Sequence, residues 1–167
     1  MITASASACA AIAAVFVSLR VAITQRRIQE KQLKQDLFDK RYAVFLAVEE
    51  FLVHVDQING SVKPTGDEYR RFRYAMEQAE FLFNADVNSY MKEVDQVART
   101  LHEKCLERDH LALMKQQNTE LSAEILKQYT ELSLEIVKML GEIIGPLPEK
   151  RKKVFGPYLQ LSRISKR

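Results

Sequence analysis

Between Met1 and Asn59 the chain contains neither glycine nor proline, so nothing in its covalent chemistry obliges a helix to stop anywhere across that span. Within it, ITASASACAAIAAVFVSL (Ile2 to Leu19) carries no charge, the stretch that follows is basic, and from Leu37 onward apolar residues recur at helical spacing. One uninterrupted helix in two solvents is the prediction: a membrane anchor that grows directly into the first helix of a bundle.

Extended to Thr24, the apolar run has 23 residues interrupted only by Arg20. At about 1.5 Å per residue it is about 35 Å long, enough for a hydrocarbon core of about 30 Å. Arg20 lies near one end, where its side chain can reach the headgroups. Two other readings compete. A cleaved signal peptide would place its small residues after the apolar stretch, whereas Ala4-Ser5-Ala6 precede it and no basic segment stands in front. A buried soluble helix is the second, because the run is rich in Ala and Ser instead of Leu. Arg20, Arg26, Arg27, Lys31 and Lys34 all follow the run, which puts the N-terminus outside and the body in the cytoplasm. Small residues four apart, such as Ala6 and Ala10, permit close approach of a second anchor, although an Ala-rich run produces that spacing unavoidably.

The remainder is the size of one small domain, and its scarce glycine and proline (5 and 4) favour helices over sheets. Residues 25–36 read as a polar juxtamembrane helix. From Leu37 and Phe38 through Val44, Phe45, Val48, Phe51, Leu52, Val55 and Ile58 the stripe is wide enough to face two neighbours, and Asn59-Gly60-Ser61 ends it. A second helix starts near Asp67 and presents Phe72, Met76, Ala79 and Phe83. Asp86 is placed to cap a third, with Val87, Tyr90, Met91, Val94, Val97, Ala98, Leu101 and Cys105 on one face. Asn118 or Thr119 caps a fourth, with Leu121, Ile125, Leu132, Ile136, Met139, Leu140, Ile143 and Ile144, ended by Gly145-Pro146. The expected division is anchor 1–24, juxtamembrane helix 25–36, antiparallel four-helix bundle 37–145 and basic amphipathic tail 146–167.

A net charge of +3 conceals an uneven distribution: Arg20 to Arg41 carries +4, Pro146 to Arg167 carries +6, and the segment between them −7. Two basic ends suit an anionic surface, and the apolar run beside the first of them favours lipid. With an even number of bundle helices the tail returns toward the bilayer. Arg26, Arg27, Lys150, Arg151, Lys152, Lys153, Phe155 and Tyr158 are the expected contacts with anionic headgroups. A merely solvated tail is the alternative.

Chemistry is sparse. Only Glu107 and His110 match the Glu-x-x-His spacing of a bundle metal site, where two such motifs and two further Glu are needed. Cys105 falls on an apolar face, and Cys9 lies in the run, so both read as free thiols. No glycine-rich phosphate loop, G-x-S-x-G or Cys-x-x-Cys occurs. No cofactor and no enzymatic activity are expected. Nucleic acid is not expected as a partner either, because no helix-turn-helix or aromatic RNA-binding signature accompanies the basic clusters.

Leu37-Phe38-Asp39-Lys40-Arg41-Tyr42-Ala43-Val44-Phe45, just after a basic juxtamembrane helix, resembles a run found in small single-span bacterial membrane proteins. Similar proteins also carry an aromatic "FLF" turn, here Phe81-Leu82-Phe83, and a "PYL", here Pro157-Tyr158-Leu159. The resemblance implies a bacterial inner-membrane protein with a helical cytoplasmic domain, and no reaction. From the residues alone, Asp39, Lys40 and Arg41 read as a solvated face, with a contact from Arg41 or Tyr42 to another helix or a partner as the alternative. The expected role is an interaction or scaffolding module, self-associating or bound to another protein. A membrane-active effector or regulated small pore former, acting by oligomerisation of the anchor, is the second reading.

Overall fold

In a computed structural model of the chain, residues 2–61, 63, 66–117 and 123–160 are described, with side chains described at 16–61, 63, 66–114 and 123–160. Among the described residues the chain is all-helical: α1 (Ile2–Gln57), α2 (Asp67–Leu82), α3 (Ala85–Gln117), α4 (Ala123–Ile144) and α5 (Pro146–Leu159). It divides into two compact units, Met1–Asp39 and Lys40–Arg167.

The first unit is helical throughout residues 2–39, as the absence of breakers predicts. Its described side chains bond along the helix: Thr24 Oγ1 donates to the Arg20 carbonyl at 2.9 Å, and Arg26 pairs with Glu30 at 3.3 Å. Leu37, expected in the core stripe, is exposed. Among the described residues no helix is long and apolar enough to cross a membrane. The side chains of residues 1–15, which make up most of the expected anchor and its small-residue spacings, lie outside the described residues.

In the second unit, residues 40–57 of α1 supply a buried stripe of Val44, Val48, Phe51, Leu52 and Val55. Phe51 stacks on Phe72 of α2 with ring centroids 4.3 Å apart and planes 12° from parallel. Such a pair adds about 0.5–1.5 kcal/mol beyond its buried area. Arg41 reaches Leu82 while His54 lies 3.8 Å from Glu68, so α2 runs antiparallel to α1. Between them the chain reverses through Asn59 (φ 49°) and Gly60 (φ 81°), and the Gly60 amide closes the helix end on the Val55 carbonyl at 2.9 Å. Glycine is required there twice over, because a Cβ would also stand 2.5 Å from the Leu101 side chain.

Asn84 starts α3: its Oδ1 accepts from the amides of Asp86 at 3.2 Å and Val87 at 3.4 Å. The cap is therefore Asn84, not the expected Asp86, because the helix begins one residue before Asp86. Val87, Tyr90, Met91, Val94, Ala98, Leu101 and Cys105 are buried as predicted. The α4 cap expected at Asn118 or Thr119, and Leu121, lie outside the described residues. Leu132, Ile136 and Ile143 of α4 face the core, but Ile144 does not, and together with Leu126, Leu134 and Val137 it leaves an apolar strip half to two-thirds exposed.

Gly145-Pro146 was expected to end the bundle and release a tail. Instead it is a joint. Gly145 takes φ −101°, ψ −81°, its amide bonds the Gly141 carbonyl at 3.0 Å, and Pro146, which has no N–H to satisfy, opens α5 as a first-turn proline should. On α4, Glu135 pairs with Lys104 of α3; on α5, the Leu147 carbonyl accepts from Tyr90 of α3 at 3.0 Å. Thus α4 and α5 lie in turn along α3, antiparallel to it, as two halves of a broken fourth rod.

Candidate functional site

The basic run on α5 divides by helical spacing. Leu147, Arg151 and Phe155, four residues apart, are buried, while Lys152 and Lys153 between them are exposed. Lys150 is half-exposed and pairs with Glu93. Two of the residues expected on a membrane surface are therefore core residues. Phe155 is fully buried, edge-on to Phe45 at 5.6 Å, Phe83 at 5.1 Å and Tyr90 at 6.2 Å. Arg151, 6% exposed, donates from Nη2 to Glu49 Oε1 at 3.0 Å, and its guanidinium lies 4.9 Å over the Phe45 ring. Its Nε has no hydrogen-bond partner among the described residues. The physical reason is periodicity: a stripe at every fourth residue must face the other helices, whatever the charge beside it.

At the far end of α5, Tyr158 is half-buried and edge-on to Phe83 at 5.1 Å. Arg41 inserts beside both. Its Nε donates to the Leu82 carbonyl at 3.0 Å, and its guanidinium sits 5.0 Å from the Tyr158 ring and 5.8 Å from the Phe83 ring. A carbonyl at the C-terminal end of α2 carries partial negative charge, which suits a guanidinium. Arg41 is thus a contact between helices and not part of a solvated face, while Tyr42 beside it stays exposed and stacks on Phe45 at 6.1 Å. The three short motifs around Arg41, Phe83 and Tyr158, far apart in sequence, meet at this one junction.

A second polar cluster joins α2 and α3. Asp95, 8% exposed, accepts from the Tyr69 hydroxyl at 2.7 Å on Oδ1 and from Arg73 Nη1 at 3.3 Å on Oδ2, and Arg99 Nε lies 3.0 Å from that Oδ2 as an ion pair. Arg99 Nε also donates to the Tyr69 oxygen at 3.1 Å. Burial, with the Asp95 carboxylate beside it, pushes the Tyr69 phenol up from its usual range. Burial of this carboxylate is tolerable because both of its oxygens are bonded. This cluster is not among the residues that the sequence pointed to. Its signal was a carboxylate at position 95, between Val94 and Ala98 on a stripe otherwise apolar.

Arg26 and Arg27, in the first unit, are exposed. Cys105 is buried, bonded to the Asn59 carbonyl at 3.7 Å, and burial raises its thiol above the usual range, which leaves it a poor nucleophile. Among the described residues no group of three or more His, Cys, Asp or Glu is arranged to hold a metal ion. No protein-family model, no curated protein and no solved structure matches the chain.

Proposed function

We propose that this chain is a single-pass membrane protein, N-terminus outside and helical domain in the cytoplasm of a bacterial cell, whose bundle serves as an interaction or scaffolding module. The observation that carries this reading is the charge-free run Ile2 to Leu19 followed at once by Arg20, Arg26, Arg27, Lys31 and Lys34, with no glycine or proline before Asn59. Contact with anionic headgroups falls to Arg26 and Arg27 and, from the second unit, to Lys150, Lys152 and Lys153, the exposed members of the expected set. The exposed apolar side chains of Leu126, Leu134, Val137 and Ile144 along α4 support a role in protein contact. That contact is with a second copy of the chain or another protein. No catalytic step is assigned.

Membrane fractionation tests the anchor. The full-length chain is expected in the pellet after alkaline carbonate washing and in solution only with detergent; recovery in the soluble fraction without detergent overturns it. Crosslinking in native membranes through a photoreactive residue at Val137 is expected to capture a discrete protein product, and its absence would argue against the scaffolding role.

A further inference from the structure

An open cleft of about 310 Å³ between α2 and α3 is lined by Tyr69, Arg73, Arg99, His102 and Glu103. That volume stands at the lower end of the range for small-molecule sites, about 300–1,000 Å³. We propose that this cleft binds a phosphate-type oxyanion, held between the guanidinium groups of Arg73 and Arg99.

Position and charge both support it. The two guanidiniums come from different helices, yet both are ion-paired with the same oxygen, Asp95 Oδ2, at 3.3 and 3.0 Å, so a carboxylate behind the cleft holds them side by side. Asp95 is nearly buried and does not line the cleft, whereas the Arg73 and Arg99 side chains are 40% and 50% exposed. One negative charge faces two positive ones, which leaves the trio at +1. Among the described residues Arg73 spends only Nη1 and Arg99 only Nε. A guanidinium carries five N–H donors, so most remain for a ligand. Donors already locked in place bind with less ordering cost, and paired arginines match the geometry of phosphate oxygens. The same two guanidiniums disfavour a metal cation. Glu103, on the lining and in no ion pair among the described residues, opposes any anion and limits affinity.

The test follows the arginine Nε–Hε signals by NMR in the full-length chain, held in zwitterionic detergent micelles and titrated with inorganic phosphate at constant ionic strength. The Arg99 signal is expected to move along a saturating curve with phosphate and not with chloride. Arg73→Gln is expected to weaken binding about tenfold, the loss of one charge-assisted hydrogen bond. Glu103→Gln leaves the Asp95 cluster intact and is expected to tighten binding several-fold. Micelles doped with phosphatidylglycerol, without free phosphate, identify the source: the same shift there assigns a lipid headgroup, and no shift assigns a soluble phosphate ester. A response to phosphate no different from that to chloride, or a Glu103→Gln affinity equal to the parent's, overturns the proposal.

Discussion

The same bundle uses arginine in two opposite ways. At the α1–α5 junction, Arg151 lies under the surface against Phe45 with one carboxylate for company, and Arg41 lies against Phe83 and Tyr158 on the Leu82 carbonyl. At the α2–α3 cluster, the carboxylate is buried and the guanidiniums of Arg73 and Arg99 face solvent. The first arrangement is packing that carries a charge, because an aromatic ring offers the cation a face as well as apolar area. The second is a charge supported by packing. The second turns its unused donors toward solvent, which is why the two sites should respond to substitution in different ways.

The largest expected effect is at the aromatic junction. Phe155→Ala removes a ring touching Phe45, Phe83 and Tyr90 and should cost about 3–5 kcal/mol in denaturant unfolding of the full-length chain. Next comes Asp95→Ala, which leaves the Tyr69 hydroxyl proton without its acceptor and brings two guanidiniums together without their carboxylate; about 2–3 kcal/mol is expected by the same measurement. By contrast, Arg151→Met keeps the packing over Phe45 and removes a buried charge, so stability should change by less than about 1 kcal/mol in either direction. A loss as large as that of Asp95→Ala would erase the distinction between the two sites.

The smallest effect is a pH dependence shared by both. Burial raises the Tyr90 phenol well above its ordinary value, more than it raises Tyr69. In the unfolded chain these phenols ionise near pH 10, while the folded state holds them protonated. Their contribution is therefore intact below about pH 10 and is lost as pH rises above it toward the folded values. Midpoint denaturant concentrations measured from pH 8 to 11.5 should fall at the upper end, and Tyr90→Phe should flatten that fall more than Tyr69→Phe.

Most helices of the bundle were legible in the spacing of their apolar residues. Val44 to Val55, Phe72 to Ala79 and Val87 to Cys105 went inward as predicted, because a stripe at helical period has one face to bury. Gly60 was legible as a stop for the same backbone reason that it sits at positive φ. The joint at Gly145-Pro146 was not. Glycine followed by proline both ends one helix and begins another, and the dense lysines beyond it suggested solvent. The stripe of Leu147, Arg151 and Phe155 was present there, with an arginine in its centre that charge-based reading removes from any core. Ile144 failed in the other direction, since α4 carries more apolar arc than its neighbours cover. The Asp95 cluster depends on residues 26 positions apart at Tyr69 and Asp95, and helical period says nothing about which polar groups on separate helices will meet.

The break between α4 and α5 has a consequence for how the bundle opens. At Pro146 the ladder of backbone hydrogen bonds loses a donor, and the Gly145 amide closes it backward onto Gly141. Cooperative opening is transmitted along such ladders, and segments joined across a gap can exchange their amide hydrogens as separate units. Deuterium uptake should then fall into two classes on either side of residue 146, with α5 opening while α4 stays closed. In that state the Arg41 junction comes apart and Phe155 leaves its pocket, so the Gly145-Pro146 joint controls the exposure of the aromatic rings around Phe155.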